Sequence, residues 1–363
     1  MGSHQRVYEL IQYLKTHHNL TVAYIKERVD QDSHYIKNLD EEVIFIKELK
    51  KSKFAQSKIK KFLQKYPIMR QFYEKDVVSK TKTLLKQNNY SHIIIEYLNL
   101  SYLFPLFQNQ TLILDTHDIM HKRNESFKNN NQKHWLDIDK KEEFDIFSLY
   151  NQIICIQQTD HKYLEKNNIK SLTCPHPIKA VQRIPNKKNE IINIIFIGGY
   201  SVANFNSIHW FIENIWIFFH TIETLRLNIY GTISQALIRH SKKYQNIILN
   251  GKIENLNEVY ANADIAINPV QMGGGLKIKN IEAMANTTAL ITTDEGAKGI
   301  EQKANTAYLL ANSKDQWIEK MVSLIISKNL QNDISLNGQK FIHKNFNATI
   351  CFSPLNDFIN SAK

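Results

Sequence analysis

The stretch QMGGGLKIKNIEAMANTTALITT, from Gln271 to Thr293, sets a glycine triplet, two lysines and one glutamate in that order. Bare backbone at Gly273, Gly274 and Gly275 exposes amide N–H groups. The helix predicted from about Leu276 to Ala285 adds its free N-terminal N–H groups and its dipole, and Lys277 and Lys279 add full positive charge. Such a site favours a phosphate. Glu282 lies on the face of Lys279 at i, i+3 and can accept paired hydrogen bonds from vicinal hydroxyls such as those of ribose. A sugar nucleotide presents a diphosphate and a diol about this far apart. The plainer reading is that any turn needs glycines and any surface helix carries lysines.

The neighbouring segments favour the ligand. Phe196-Ile197-Gly198-Gly199-Tyr200, Ile229-Tyr230-Gly231 and Asn250-Gly251-Lys252 each end a predicted strand in glycine. Three such ends at one sheet edge predict a ligand crevice at a topological switch point, with Gly198 and Gly199 among its binding residues. Neither glycine cluster makes G-x-G-x-x-G, and no Walker lysine is present, so a dinucleotide fingerprint and a P-loop are both excluded.

A second candidate is Asp115-Thr116-His117-Asp118, which follows a predicted strand of the first half. Against a role in chemistry, Asp118 could simply cap the next helix. His117 and His121 are four apart, as zinc ligands can be, but no third ligand accompanies them, and no metal is expected. Asp30-Gln31-Asp32 and Asp137-Ile138-Asp139 imitate a metal-binding D-x-D and read more simply as solvated turns or helix-start acids. Glu96 ends a strand at the same edge as Asp115, whereas Glu142-Glu143 reads as an exposed helix face.

Parallel sheets with crossover helices must position these residues, because β-branched runs alternate with helical patterns throughout. The first half offers strands at 20–25, 43–47, 92–96, 111–115 and 152–157; the second offers 192–198, 226–230, 246–249, 264–268, 289–292 and 307–310. Helices are predicted at 316–327, 330–345 and 349–361. Cys174-Pro175-His176-Pro177 and the polar run to Glu190 suit an extended linker. The expected organisation is therefore a first domain over 1–180, a second over 181–348 and a last helix over 349–363. The first domain opens on a helix, 6–18, where a doubly wound domain normally opens on a strand, and Gly2-Ser3-His4 could be a vector scar.

Composition bounds the rest. The chain has 363 residues, 43% apolar and 22% charged, and its longest apolar runs are far shorter than the roughly 20 residues that span a bilayer. No charged segment followed by an apolar stretch marks a secretion signal, and three scattered cysteines fit a reducing cytoplasm. The net charge of +11 is concentrated between Lys47 and Lys86, where thirteen Lys and Arg face three acidic residues. Phe54, Phe62, Tyr66, Met69 and Tyr73 recur there at helical spacing. Two readings stay open: a basic amphipathic helix lying on an anionic membrane surface, or a solvated lysine face whose apolar stripe enters the core. Scarce arginine and the lack of a reading motif argue against nucleic acid.

The stretch GKIENLNEVYANADIAINPVQMGGGLKIKNIEAMANTTALITTDEGAKGI resembles the donor-binding half of GT-B glycosyltransferases of family 4. FIGGYSVANFNSIHWF is similar to that domain's opening strand and helix, and LILDTHDIMHKR to a D-x-H-D loop of the N-terminal domain. The resemblance implies an α/β protein of two facing Rossmann-like, doubly wound domains with a C-terminal crossover helix. It implies a nucleoside-diphosphate sugar as donor, held by the second domain, no separate cofactor, and a glycan or lipid-linked acceptor on the first domain. By the same resemblance His117 contacts the donor sugar, Asp118 fixes the loop or an acceptor hydroxyl, Asp115 belongs to the catalytic loop, and transfer retains the anomeric configuration. Many relatives carry E-x7-E here; Glu282 matches the second glutamate and Gly274 stands in place of the first. The Arg and Lys that often follow the first C-terminal strand are missing, which leaves Lys277 and Lys279 to supply the phosphate charge. The implied activity is glycosyl transfer in bacterial surface polysaccharide synthesis, in the cytoplasm or at the inner membrane face. A non-catalytic GT-B-like binding subunit and a sugar-nucleotide epimerase are the alternatives.

Overall fold

The computed structural model describes residues 2–26, 43–47, 57–179, 190–253 and 255–361. The chain divides into two compact units: Met1–Asn124 with Trp135–Pro175 and Ala348–Lys363, and Glu125–His134 with His176–Asn347.

In chain order the first unit runs α1 (Gly2–Lys15), β1 (Val22–Lys26), β2 (Val43–Lys47), α2 (Ser57–Lys65), α3 (Lys75–Gln87), β3 (His92–Glu96) and β4 (Thr111–Asp115). It continues through the start of α4 (Met120–Asn129), whose residues from Glu125 on group with the second unit, and then α5 (Lys140–Phe147), β5 (Gln152–Cys155), α6 (Gln158–Glu165) and β6 (Ser171–Thr173). Strands β3, β4, β5 and β6 form one parallel sheet in that order, with Glu96 opposite Asp115 at its carboxyl edge. β1 and β2 pair in parallel as a separate two-stranded sheet, so the described strands of this half form two sheets where a single one was expected. β6 was not anticipated. No described strand precedes α1.

The apolar stripe between residues 62 and 73 faces inward. Pro67 ends the helical run after α2 and opens a 3-10 turn, Pro67–Phe72, because it cannot continue the hydrogen-bond ladder. Phe62, Tyr66, Met69 and Tyr73 join the unit's core with Tyr102, Leu114 and Ile153, while Lys58, Lys60, Lys61 and Lys65 are exposed. The lysine-face reading is therefore the one that the geometry fits. Phe54 and the Asp30-Gln31-Asp32 turn lie outside the described residues.

The second unit contains β7 (Ile192–Ile197), α7 (Val202–Asn214), β8 (Leu225–Tyr230), α8 (Ile233–Ser241), β9 (Ile247–Gly251), α9 (Leu256–Ala261) and β10 (Ile265–Asn268). It continues with α10 (Ile278–Ala285), β11 (Ala289–Thr292), β12 (Leu309–Leu310), α11 (Lys314–Ile326) and α12 (Lys328–Asn345). Its parallel sheet has the order β12-β11-β10-β7-β8-β9. The chain therefore winds outward from β7 to β9, returns to the other side of β7, and winds outward again. β10 and β11 are buried along their whole length, as unbroken apolar strands covered on both faces must be. Ser201 caps α7 by accepting from the Asn204 amide, and Ser313 with Gln316 makes a reciprocal capping box on α11.

The last helix, α13 (Ala348–Ser361), groups with the first unit and packs on α1. Tyr13 and Phe352 rings lie 5.5 Å apart, and His18 Nε2 and Asn356 Oδ1 are 2.8 Å apart.

Candidate active site

In the second unit the switch point falls between β7 and β10, where the two halves of the sheet diverge and side chains find room beyond the strand ends. Gly198 and Gly199 follow β7, and the Gly273–Gly275 loop follows β10. Gly273 and Gly275 have φ of 142° and 61°, in the left-handed region that side chains disfavour. The Gly273 amide donates to Ser126 Oγ at 3.0 Å. The amides of Gly274 and Gly275 have no acceptor among the described residues.

The two lysines behave differently. Lys277 folds back on the loop, donating to the carbonyls of Gly274 at 2.9 Å and Gly275 at 3.0 Å and pairing with Glu295 at 3.2 Å. Lys279 reaches across to the first turn of α7 and the end of β7: its Nζ donates to Asn204 Oδ1 at 2.9 Å and sits 4.4 Å from the Phe196 ring centroid. Burial pushes its ammonium down to about 7, with Lys277 adding to the effect and Glu282 opposing it. Glu282 is buried, and burial pushes its carboxyl up to about 7 against the Tyr260 hydroxyl, 3.4 Å away, and Lys279. Neither half-buried Lys279 nor buried Glu282 has a salt-bridge partner among the described residues, and shifted groups of this kind mark a candidate binding site.

One glycine at this edge has a packing cause. A Cβ at Gly231, which has φ of 95°, would collide with the Gly198 carbonyl oxygen, so this glycine exists because two strand ends approach closely. The Gly198 amide is occupied by the Tyr230 carbonyl at 3.0 Å.

In the first unit the loop after β4 places His117 at φ 57° and the end of β3 places Tyr97 at φ 68°. Both are non-glycine residues in the left-handed region, a conformation that costs about 1–3 kcal/mol and persists only where surroundings impose it. Their rings stack at 4.2 Å, and His117 Nε2 lies 2.9 Å from Glu96 Oε2. Burial, then the neighbouring Asp115, raise the Glu96 carboxyl; His117 and Arg6 oppose them. Asp115 is fully buried and ion-paired with Arg6 of α1, whose guanidinium also donates to the Cys174 carbonyl at 2.8 Å. Glu96, Asp115 and His117 bring three ligand atoms within 4.8 Å of one another, where Arg6 supplies the positive charge. Asp118 pairs with Arg123, one turn into α4.

His117 and His121 do not converge. His121 Nδ1 lies 2.6 Å from Glu143 Oε2 and its Nε2 2.8 Å from the Tyr163 hydroxyl. Glu143 corrects the expectation of an exposed Glu142-Glu143 face: it is fully buried and accepts from the amides of Met120 at 2.7 Å and His121 at 2.8 Å. A distant carboxylate thus caps α4, because no residue preceding the helix does so. Asp139 caps α5 through the Glu142 amide, the helix-start role expected of it. The residues missed were Arg6, Glu143, Asn280 and Glu295. Asn280 accepts from Asn268 and donates to the Gly296 carbonyl, tying α10 to the strand ends. A signal existed only for Glu295, in the DEG turn after β11.

Residues 192–327 match the family described as Glycosyl transferases group 1. The match lies within the second unit, and the two parallel α/β units have a fold of GT-B type. It is 22% identical over 365 residues to an uncharacterized 44.6 kDa protein in the cps region of Klebsiella pneumoniae, covering 93% of this chain and 89% of that one. Among solved structures it is similar to Anabaena HepE in complex with UDP and glucose, with a TM-score of 0.70, 9% identity, and 99% and 96% of the two chains covered. It is also similar to sucrose-phosphate synthase from Thermosynechococcus elongatus, with a TM-score of 0.68, 12% identity, and 95% and 100% covered. No described helix is long and apolar enough to cross a membrane.

Proposed function

We propose that the protein transfers a sugar from a nucleoside-diphosphate donor to a glycan or lipid-linked acceptor during synthesis of a bacterial surface polysaccharide. The observation that carries this reading is the pairing of half-buried Lys279 with buried Glu282 at the switch point. The ammonium stands over Phe196 beside the Gly198–Gly199 turn, and the carboxylate stands one turn further into α10. The diphosphate takes Lys279 and the amides of Gly274, Gly275 and Gly199. The ribose diol takes Glu282. Lys277 holds the loop in shape through its carbonyl bonds and reaches phosphate only by leaving Glu295. Donors fixed before charge develops on the leaving diphosphate supply the electrostatic part of catalysis.

Glu295 is the carboxylate that stands beside the loop where Gly274 replaces a glutamate, with Oε1 3.7 Å from where a Gly273 side chain would start. It takes part in recognising the donor sugar. His117, backed by Glu96, serves the sugar; Asp118 orders the loop through Arg123; Asp115 acts through Arg6 as a positioning residue. Retention of configuration is carried by the resemblance to family 4. The cps-region relative and the HepE complex with UDP and glucose support a polysaccharide setting and a UDP-sugar as the first donor to try. Exposed lysines of α2 and α3 hold the protein to anionic headgroups by charge alone, since the apolar residues beneath them belong to the core.

The test is release of nucleoside diphosphate from a panel of sugar nucleotides, with and without acceptor glycans and polyprenyl-linked sugars. Acceptor-dependent release with at least one donor is expected. Donor conversion without acceptor would indicate epimerisation, and no release with any pair would overturn the reading.

A further inference from the structure

We propose that His209, Glu213 and His240 form a binding site for a divalent transition-metal ion of the zinc class, joining α7 to α8. His209 and Glu213 lie four apart on α7, so both project from one face, and His240 approaches from α8. One ligand atom from each lies within 4.8 Å of the others. His209 Nε2 is 3.9 Å from Glu213 Oε1, and the two imidazole rings meet edge to face at 4.4 Å.

The surroundings hold these groups in place. Phe205 stacks on His209 at 5.6 Å with the planes 5° apart, and also packs edge-on against His240. The Tyr244 hydroxyl donates to Glu213 Oε2 at 2.8 Å, orienting the carboxylate as outer-shell partners of metal ligands do. The other oxygen, Oε1, is buried and accepts no hydrogen bond. A buried carboxylate oxygen left bare beside two imidazoles is costly unless something binds it.

Two imidazoles and one carboxylate are a zinc donor set that leaves a fourth position for water. Bonds of about 2.0–2.1 Å in a tetrahedron place donors roughly 3.3–3.4 Å apart, so modest side-chain rotations close the present spacing. Magnesium and calcium, which favour all-oxygen shells, are excluded by the imidazoles. Lys243, whose Nζ is 3.8 Å from Glu213 Oε1, is the competing cation; its side chain is 67% exposed and free to move outward. The ion would tie together the helices that follow β7 and β8, and the site does not depend on the sugar-nucleotide reading.

The experiment uses the full chain after dialysis against EDTA, titrated with zinc chloride by calorimetry and with cobalt chloride by visible absorption. One zinc per chain is expected, with intense cobalt bands of a tetrahedral site, a melting temperature raised by zinc, and no response to magnesium chloride. The double variant His209→Ala/His240→Ala should lose the cobalt bands and the thermal shift, and Tyr244→Phe should weaken zinc about tenfold. If the double variant does not fold, Glu213→Gln carries the same test. Zinc binding by the variants equal to that of the parent would mean adventitious binding at other histidines and would overturn the proposal, as would a parent that gives neither heat nor cobalt bands.

Discussion

After β10 the chain turns through Gly273, Gly274 and Gly275, leaving backbone amides open, with Lys277 at the N-cap and Lys279 and Glu282 on the helix that follows. After β4 it turns through Thr116 and His117, putting a full imidazole at φ 57°, where glycine would be comfortable. Both loops leave the carboxyl edge of a parallel sheet. The first is shaped by removing side chains, which leaves backbone amides open; the second keeps a particular side chain at a backbone cost. That cost is offset by the stack with Tyr97, the bond to Glu96 and the anchoring of Asp115 by Arg6. Strain accepted around a histidine argues that its imidazole has work there, whereas the glycine loop argues for an approach.

The most damaging way to break the comparison is to remove the anchor. Arg6→Ala leaves the Asp115 carboxylate buried without its cation, and breaking a buried pair in this way costs about 3–5 kcal/mol. Urea unfolding of the variant reads that loss directly. A change below about 1 kcal/mol would show that α1 does not hold the β4 edge in place.

On the other side Lys279→Ala should leave stability nearly unchanged, since a desolvated ammonium is removed, while kcat/KM for the sugar nucleotide falls by about 10²–10³-fold. Equal loss of folding and activity would instead make Lys279 a structural cation of the Asn204–Phe196 contact. Lys277→Ala offers the internal contrast: its Nζ already serves the Gly274 and Gly275 carbonyls, so its removal should loosen the loop and raise KM more than it lowers kcat.

How much of this could be read from the letters differs between the two loops for the same reason. Strands β3, β4 and β11 match their expected bounds because buried parallel strands are unbroken β-branched runs, whereas β6, only Ser171–Thr173, has no apolar run to announce it. The glycine triplet, Lys279 and Glu282 are contiguous, so their gathering on one turn and helix follows from periodicity. The His117 loop is completed by Arg6, 109 residues away, and by Glu96 from the adjacent strand, and no local pattern carries such pairings. Glu143 was misplaced because it turns inward to cap the first amides of α4, a partner that no local pattern announces. Gly231 was legible as a glycine but not in its cause, which is the Gly198 carbonyl.

Replacing the histidine by the residue its backbone prefers sharpens the comparison further. His117→Gly should relieve the left-handed strain, so unfolding free energy stays within about 1 kcal/mol of the parent despite the lost contacts. Activity should nevertheless fall about a hundredfold, some 2.7 kcal/mol in barrier, if the imidazole serves the sugar. A fully active His117→Gly enzyme would reduce this loop to a structural turn.

The smallest effect separates the loops by pH. Lys279, lowered to about 7, must regain a proton to meet a diphosphate, so donor affinity measured by calorimetry should weaken above pH 7. The limit is about tenfold, or 1.4 kcal/mol, per pH unit, and binding in that range should take up a proton from buffer. Glu282, raised to about 7, is protonated below that pH and loses paired acceptance of the diol, so affinity weakens on the acid side too. The sign follows from each free-state shift: the lowered lysine sets the alkaline flank and the raised carboxyl the acid one. Lys279→Arg, always charged, should abolish the alkaline flank alone, and Glu282→Gln the acid flank alone. His117→Gly should leave both flanks where they are, because the groups that titrate on donor binding belong to the other loop. A shift of either flank in that variant would show that the two loops share a proton on donor binding, and the division of labour drawn between them would fail.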